Sequence, residues 1–329
     1  MRVPTTMRAA YLRATGGPDV IEVGSLPVPP LGPADVLVRF AASEVNHVDA
    51  FVRSGAYPTP LPLPFVIGRD LVGVVAGRGA GVRRFEVGDR VWCNSLGHGG
   101  RQGSFAEYSA VDVDRLYPLP DGVDPVDAAA VLHGAGTAWL GLVREARVRP
   151  GEIVLIGGGA GAVGGAALQL GAAMGARVLA TCSARDAAWC RNHGADVVID
   201  YRADDLAERV RRAAPNGIDV WWDTSGHNDL AGWVTLLRQG GRVVMSAGLG
   251  ATAALPVGAL YTNDASVRGF VISNASAGDL ADAAVTINHL LSTGRLAGRI
   301  GAMFQLGQAA QAHAAMESGE VRGRIVVLP

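Results

Sequence analysis

The residues best placed for chemistry are Gly159, Gly161 and Gly164, spaced Gly-x-Gly-x-x-Gly. They follow the apolar run Glu152–Ile156 and open an Ala/Leu-rich stretch. A dinucleotide site needs that order. The first glycine allows a tight turn, the second a close approach of the pyrophosphate, and the third close helix–strand packing. Behind them Ala162, Val163 and Gly164 would open a helix, presenting free N–H groups and the positive end of its dipole. The plainer alternative is a small-residue helix start in a chain holding 45 glycines. The next strand end should choose the cofactor. NAD sites usually place a carboxylate there for the ribose 2′-OH. This chain has Thr181-Cys182-Ser183-Ala184-Arg185. Ser183 and Arg185 suit a 2′-phosphate through charge-assisted hydrogen bonds worth about 1.5–3 kcal/mol, which favours NADPH. Asp186, next in line, leaves NAD open.

Other chemistry is narrowed by composition. The chain has no lysine, so all 29 cationic side chains are arginine and no Schiff-base mechanism is available. Cys93, Cys182 and Cys190 are odd in number and never spaced C-x-x-C. That pattern indicates neither a disulfide framework nor structural zinc, and fits a reducing cytoplasm. A net charge of -1 without a basic block gives no reason to expect nucleic acid. No uninterrupted apolar run of about 18 residues suggests a membrane span, and Met1–Ala10 lacks the apolar core of a secretory signal.

The elements that must position these residues fall into two textures, and 329 residues suit two domains. The first third reads as short strands, among them 36–40, 71–76 and 90–93, broken by Gly/Pro turns into a β-rich domain. From about Pro125 a helix is expected over 127–143, capped by Asp124 or Asp127. Strands at 152–156, 177–181, 197–199, 218–222 and 242–246 then alternate with helices at 164–174, 186–193, 205–213 and 230–238. Such βαβ units build a parallel sheet covered on both faces. The stretch from Ser266 predicts a strand, two helices and a final strand, 323–328, that returns to the first domain.

Several further motifs follow one another in a recognisable order. They are Met7-Arg8-Ala9-Ala10-Tyr11, Val45-Asn46 through Gly55, Val87-Gly88-Asp89-Arg90-Val91 and Gly103-Ser104-Phe105-Ala106-Glu107-Tyr108. Thr137-Ala138-Trp139, the glycine cluster, Asp200-Tyr201-Arg202, Asp223-Thr224-Ser225-Gly226 and Gly240-Gly241-Arg242-Val243-Val244 complete the series. With them the chain resembles the zeta-crystallin-like quinone oxidoreductase branch of the medium-chain dehydrogenase/reductase superfamily from Met7 onward, leaving residues 1 to 6 as an extension. The resemblance implies an α/β fold: a GroES-like β-rich catalytic domain (1–125 plus 267–329) and a doubly wound, parallel-sheet Rossmann domain (126–266), with the cofactor in the cleft between them. It places Asn46 and Thr137 near the nicotinamide, and Ser183, Arg185 and Tyr201 near the adenosine phosphate. It further assigns Ser225, Ala247, Gly248, Phe270, Val271, Ile272 and Arg324 to the cofactor site, and implies a cytoplasmic homodimer.

The resemblance also bears on metal. Alcohol-dehydrogenase members carry Cys where Asn46 stands, Gly-His-Glu where Gly68-Arg69-Asp70 stands, and a four-cysteine lobe after the strand near Cys93. His47, Asp49, Asp70, Cys93 and His98 lack zinc spacing and read as loop residues, so no metal is expected. The implied chemistry is metal-free hydride transfer from NADPH to a quinone or an activated C=C bond of a small molecule. The amide of Asn46 is a candidate donor to a developing enolate oxygen, or else a turn residue. Tyr57, in a loop expected to rim the pocket, suits proton donation or stacking, or else anchors its loop. His133, four residues before Thr137, suits a pocket acid, or else packs within its helix. Phe51 stands where several relatives have tyrosine. An enoyl-thioester reductase and a non-catalytic NADPH-binding protein are the alternatives.

Overall fold

The computed structural model describes residues 3–329, so Met1 and Arg2 lie outside the described residues. In chain order the first part holds β1 (Thr6–Leu12), β2 (Glu22–Pro27), β3 (Asp35–Glu44), α1 (His47–Ser54) and β4 (Phe65–Val66). It continues with β5 (Leu71–Arg78), β6 (Arg90–Cys93), β7 (Tyr108–Asp112), β8 (Tyr117–Pro118), α2 (Pro125–Ala129) and α3 (Leu132–Trp139). The middle holds β9 (Ile153–Gly157), α4 (Ala162–Ala173), β10 (Arg177–Cys182), α5 (Ala187–Asn192), β11 (Val197–Asp200) and α6 (Leu206–Ala213). Then come β12 (Ile218–Asp223), α7 (Leu230–Trp233), β13 (Leu237–Met245), α8 (Val257–Thr262) and β14 (Ser266–Gly269). The end is α9 (Ala277–Ser292), β15 (Ile300–Gln305), α10 (Ala309–Ser318) and β16 (Arg324–Leu328). These elements form two compact units, Met1–His133 with Ser276–Pro329, and Gly134–Ala275.

Unit 1 is built on β3. This ten-residue strand pairs antiparallel with β5, with β7 and, at its far end, with β16. It serves three partners because β7 takes residues 35–39 and β16 residues 43–44, while its register with β5 shifts twice, bending the strand. The sheet order is β15-β16-β3-β5-β6-β8, with β7 also on β3, beside a smaller β2-β1-β4 sheet. Alternate side chains, Val36, Val38 and Phe40, enter a core with Leu12, Phe65, Leu71, Val91 and Phe105. Ile325 and Val327 from the chain's end lie in the same core. Burying each large apolar side chain contributes about 1.5–3 kcal/mol.

Unit 2 is a six-stranded sheet ordered β11-β10-β9-β12-β13-β14, parallel throughout. Counted from β9, this is 3-2-1-4-5-6, the doubly wound order of dinucleotide-binding sheets. The chain reverses direction of winding between β9 and β12, so the crevice beyond their carboxyl ends is where such sheets bind ligands. Leu155, Leu179, Trp221 and Val243 carry the core on one face.

Several boundaries differ from expectation. The helix expected over 127–143 is three pieces: α2, capped by the Asp124 side chain on Val126 N at 2.7 Å, then α3, then a π-turn at Leu140–Glu145. The helix expected to Arg238 stops at Leu236, because buried Leu237 already pairs with Ile218. A strand absent from the expectation, β15, pairs among the described residues with β16 alone. The unit boundaries fall later than 125/126 and 266/267: α2 packs on β3 and β5, and β14 is hydrogen-bonded to β13.

Candidate functional site

In unit 2 the polypeptide leaves β9 through Gly158, whose φ of 73° puts the left-handed turn one residue before the motif. Gly159 is close-packed for another reason: a Cβ there would stand 3.0 Å from the Ala180 Cβ. A Cβ on Gly164 would overlap the Gly158 carbonyl oxygen, so only glycine lets α4 start this close to the turn. Gly161 caps α4 with no side-chain hydrogen bond, which leaves the N–H groups of Ala162, Val163 and Gly164 without a cap side chain. Twelve residues of aligned peptide dipoles make this end attractive to an anion.

Across the switch point, the turn after β12 is organised by buried Asp223. Its Oδ1 accepts from Ser225 N (2.8 Å) and Ser225 Oγ (2.6 Å), and its Oδ2 from Asn228 N (2.8 Å). Thr224 Oγ1 donates to Gly157 O at 2.7 Å, binding this turn to the end of β9. Asn228, at φ 48°, donates Nδ2 to Ala247 O at 2.9 Å and so holds Ala247 and Gly248 in place. Farther along, Trp222 and Phe270 have ring centroids 5.8 Å apart, and the Arg144 guanidinium lies 5.9 Å from the Phe270 ring. Val271 is half-buried and Ile272 buried beside them in the chain, while Thr137 is buried on α3.

At the end of β10, Ser183 Oγ donates to Asp186 Oδ2 at 2.6 Å. The serine proton is therefore committed to a carboxylate and is not the free donor the sequence suggested. Arg185 is 66% exposed, with Nε 3.8 Å from Asp186 Oδ2. On the neighbouring strand end Tyr201 N donates to Cys182 O at 3.2 Å, and the Arg202 guanidinium lies 4.7 Å from the Tyr201 ring centroid. Two arginines thus stand on adjacent strand ends.

Unit 1 gathers a buried polar cluster. Asn46, which precedes α1, sends Nδ2 to Asp70 Oδ2 at 2.7 Å and, at 3.4 Å, to Glu44 O. Both amide hydrogens are engaged inside the protein, so the side chain holds Asp70 and has none left for an enolate oxygen. Asp70 is fully buried, its backbone oxygen accepts from Ser43 Oγ at 2.5 Å, and its Oδ1 faces His133 Nδ1 at 3.5 Å. Asp49 Oδ2 accepts from Asn46 N at 2.8 Å, yet burial pushes the Asp49 carboxyl up to about 7. Burial likewise pushes Glu44 up to about 8, against the pull of Arg324 at 3.1 Å. That pairing gives Arg324 a carboxylate partner within unit 1. The Cys93 thiol is pushed up to about 12 by burial, which keeps it protonated and unreactive. Tyr57 stacks on His98 with centroids 5.6 Å apart and lines a cavity of about 440 Å³ with Val52 and the loop Pro58–Leu61.

Three residues passed over in the sequence belong to these sites: Asp70, Asn228 and Arg202. Asp70 had a signal, since Arg69-Asp70 is a charged pair between the apolar runs 65–67 and 71–72, a place where charge needs partners. Arg202 adjoined a predicted residue. Asn228 had none, because its partner Ala247 is distant in sequence and lies beyond another strand.

The matches to known proteins cover both units. Residues 32–121 match the alcohol dehydrogenase GroES-like domain and residues 162–287 the zinc-binding dehydrogenase family. Among the described residues, no group of three or more His, Cys, Asp or Glu is arranged to hold a metal ion. The chain is 32% identical to a quinone oxidoreductase of Sus scrofa over 328 residues, 98% of each chain. A solved NAD-dependent alcohol dehydrogenase superposes with TM-score 0.89 at 33% identity, covering 98% of this chain and 100% of that one. A mycobacterial protein solved with NADPH superposes at 0.84 and 28% identity, with the same coverage.

Proposed function

Because the chain belongs to the quinone oxidoreductase family of the medium-chain dehydrogenase/reductase superfamily, we propose that this oxidoreductase is an NADPH-dependent reductase of quinones and activated C=C bonds. The observation that carries the cofactor reading is the cradle at the switch point. It combines a sheet ordered 3-2-1-4-5-6, a glycine turn that admits no Cβ at Gly164, and an α4 N-terminus without a cap side chain. These residues fit a pyrophosphate.

Gly159, Gly161, Ala162, Val163 and Gly164 would receive the phosphates through backbone N–H groups. Ser225, Ala247 and Gly248, set by Asp223 and Asn228, would border the nicotinamide ribose, with Thr137, Phe270, Val271 and Ile272 beside them. NADPH supplies a hydride from C4 of its nicotinamide. Arg185 and Arg202, with Tyr201, would hold the 2′-phosphate through charge-assisted hydrogen bonds. Tyr57 would offer a ring face and a hydroxyl to the substrate. Asn46 is engaged with Asp70, and Arg324 with Glu44.

One observation favours a second reading. Asp186, held by Ser183 at the β10 end, is a carboxylate in the region where NAD sites accept the ribose 2′-OH. Fluorescence titration with each cofactor decides between them: NADPH is expected to bind at least about tenfold more tightly than NADH. Equal affinity assigns the site to both and removes the role given to Arg185 and Arg202. NADPH oxidation is then measured with a simple 1,4-benzoquinone, a small cyclic enone and an enoyl thioester. Turnover of the first two supports the reading, turnover of the thioester alone replaces it, and tight NADPH binding without any turnover refutes it.

A further inference from the structure

We propose that His227 is a cofactor-binding residue: it brings a proton-dependent positive charge to the phosphate cradle, so that binding the dinucleotide takes up a proton. The inference rests on the nicotinamide-cofactor reading above and deepens it by adding a residue just outside the Asp223–Gly226 motif.

The hydrogen bonds of the turn fix the imidazole. Buried Asp223 Oδ1 accepts from Ser225 N at 2.8 Å and from Ser225 Oγ at 2.6 Å. A hydroxyl has one proton, and this one is spent on the carboxylate. Ser225 Oγ also stands 3.0 Å from His227 Nδ1. In that contact the serine can only accept, so the Nδ1 proton belongs to the histidine. The tautomer follows. Neutral His227 has a bare lone pair at Nε2, and only the imidazolium has an N–H there. His227 is exposed, as a residue that meets a soluble ligand must be.

The turn that carries this ring is wedged against the cradle. Thr224 Oγ1 would stand 2.9 Å from a Cβ on Gly164, and Ser225 N would stand 3.3 Å from one on Gly158. Thr224 Oγ1 also donates to Gly157 O at 2.7 Å. Sheet order puts β12 beside β9, on the side away from β10 and β11. The end of β9 thus has the Arg185 and Arg202 strand ends on one side and the His227 turn on the other. The other charged groups of the turn, Asp223 and Asp229, accept from backbone N–H groups. The segments packed against it bring Gly157, Gly158, Gly164, Ala247 and Gly248, none of which titrates. The backbone cradle itself has no proton to exchange, so the histidine is where pH enters. A pyrophosphate at the α4 N-terminus is anionic throughout the neutral range. It attracts an imidazolium and is repelled by a bare Nε2 lone pair. Binding therefore draws a proton from water onto Nε2, and affinity falls as pH rises.

The test is calorimetric titration of the full chain with NADH and with ADP-ribose between about pH 5.5 and 8.5, in two buffers of different ionisation enthalpy. Both ligands carry the pyrophosphate. Neither carries the 2′-phosphate, a phosphomonoester that itself titrates at about pH 6. In the wild type, Kd should rise about tenfold across that range, with uptake of a fraction of one proton per ligand at its middle. His227→Gln should bind with the weaker, high-pH affinity at every pH. His227→Arg, charged throughout, should bind with the tighter, low-pH affinity at every pH. Melting temperature identifies a variant that has lost its fold, and the other then carries the test. A slope shared by the wild type and His227→Gln overturns the proposal, since it would come from groups elsewhere, such as Glu44 and Asp49. An Arg variant that binds no more tightly than the Gln variant overturns it too. A flat wild-type profile also overturns it, yet leaves the cofactor reading intact. Absence of binding by ADP-ribose, NADH and NADPH at every pH refutes that reading as well.

Discussion

The two units handle polarity in opposite ways. Unit 2 is shaped by backbone: Gly158, Gly159 and Gly164 clear space at the end of β9, and each buried carboxylate serves a nearby donor. Asp219 takes Ile153 N and Arg238, Asp223 takes its own turn, and Asp186 takes Ser183. Unit 1 concentrates side chains instead, with Glu44, Asp49 and Asp70 buried near Asn46, Arg69 and His133. The first arrangement is fixed by sterics and tolerates pH. The second is fixed by protons and does not.

The largest effect should come from breaking the steric side. Gly164→Val places side-chain atoms against Gly158 O, and cofactor binding should weaken by about 100-fold or more in calorimetric titration. Overpacking should also destabilise the protein by about 1–3 kcal/mol. Retained affinity would mean that the cradle is not the binding surface. Arg185→Ala sharpens the same side, since NADPH affinity should fall about tenfold with NADH affinity unmoved. Arg202→Ala should behave alike.

The protonic side is probed by pH. The folded-state pKa values of Glu44 (about 8) and Asp49 (about 7) exceed their ordinary values of 4.5 and 3.8, so the folded protein binds more protons than the unfolded chain between those limits. Stability should therefore fall as pH rises from about 4.5 through 8, lowering Tm on the order of 5 °C between pH 6 and 9. Glu44→Gln should flatten that slope in a scanning-calorimetry series, and an unchanged slope would contradict the burial argument. The last effect lies at low pH. His313 is buried beside Arg53, and burial lowers its pKa to about 3. The unfolded chain takes up that proton near 6.5, so this contribution to stability is lost as pH falls from 6.5 through 3. His313→Gln should remove it.

Local rules made unit 2 readable. A glycine spacing between an apolar strand and an Ala-rich helix has few physical solutions, and the alternation of strands and helices specifies a parallel sheet. Local rules failed where long-range pairing decides. Asn46, Asp70 and His133 are far apart in sequence, so nothing near Asp70 announces its partners. Met303 is 60% exposed on β15, which among the described residues pairs with β16 alone, and with apolar Met303 on its outward face the run Ile300-Gly301-Ala302-Met303-Phe304-Gln305 shows no clean polar alternation to announce a strand. Leu237 ended a helix early because a neighbouring strand claimed it. The Ser183 proton depended on a carboxylate three residues on, within local reach, but its direction is a choice that composition does not make.

The pairing of β16 with β3 has a consequence for how the protein is made. Unit 2 is continuous in the chain and can close as soon as Ala275 has left the ribosome. Unit 1 is not, since its core draws Leu306, Ile325 and Val327 from the final segment. During synthesis the first 133 residues must wait, with apolar surface uncovered, while an entire second sheet is translated and folds ahead of them. A stalled or clipped chain lacking residues 324–328 would leave the end of β3, at Ser43 and Glu44, and all of β15 unpaired, open sheet edges of the kind prone to self-association.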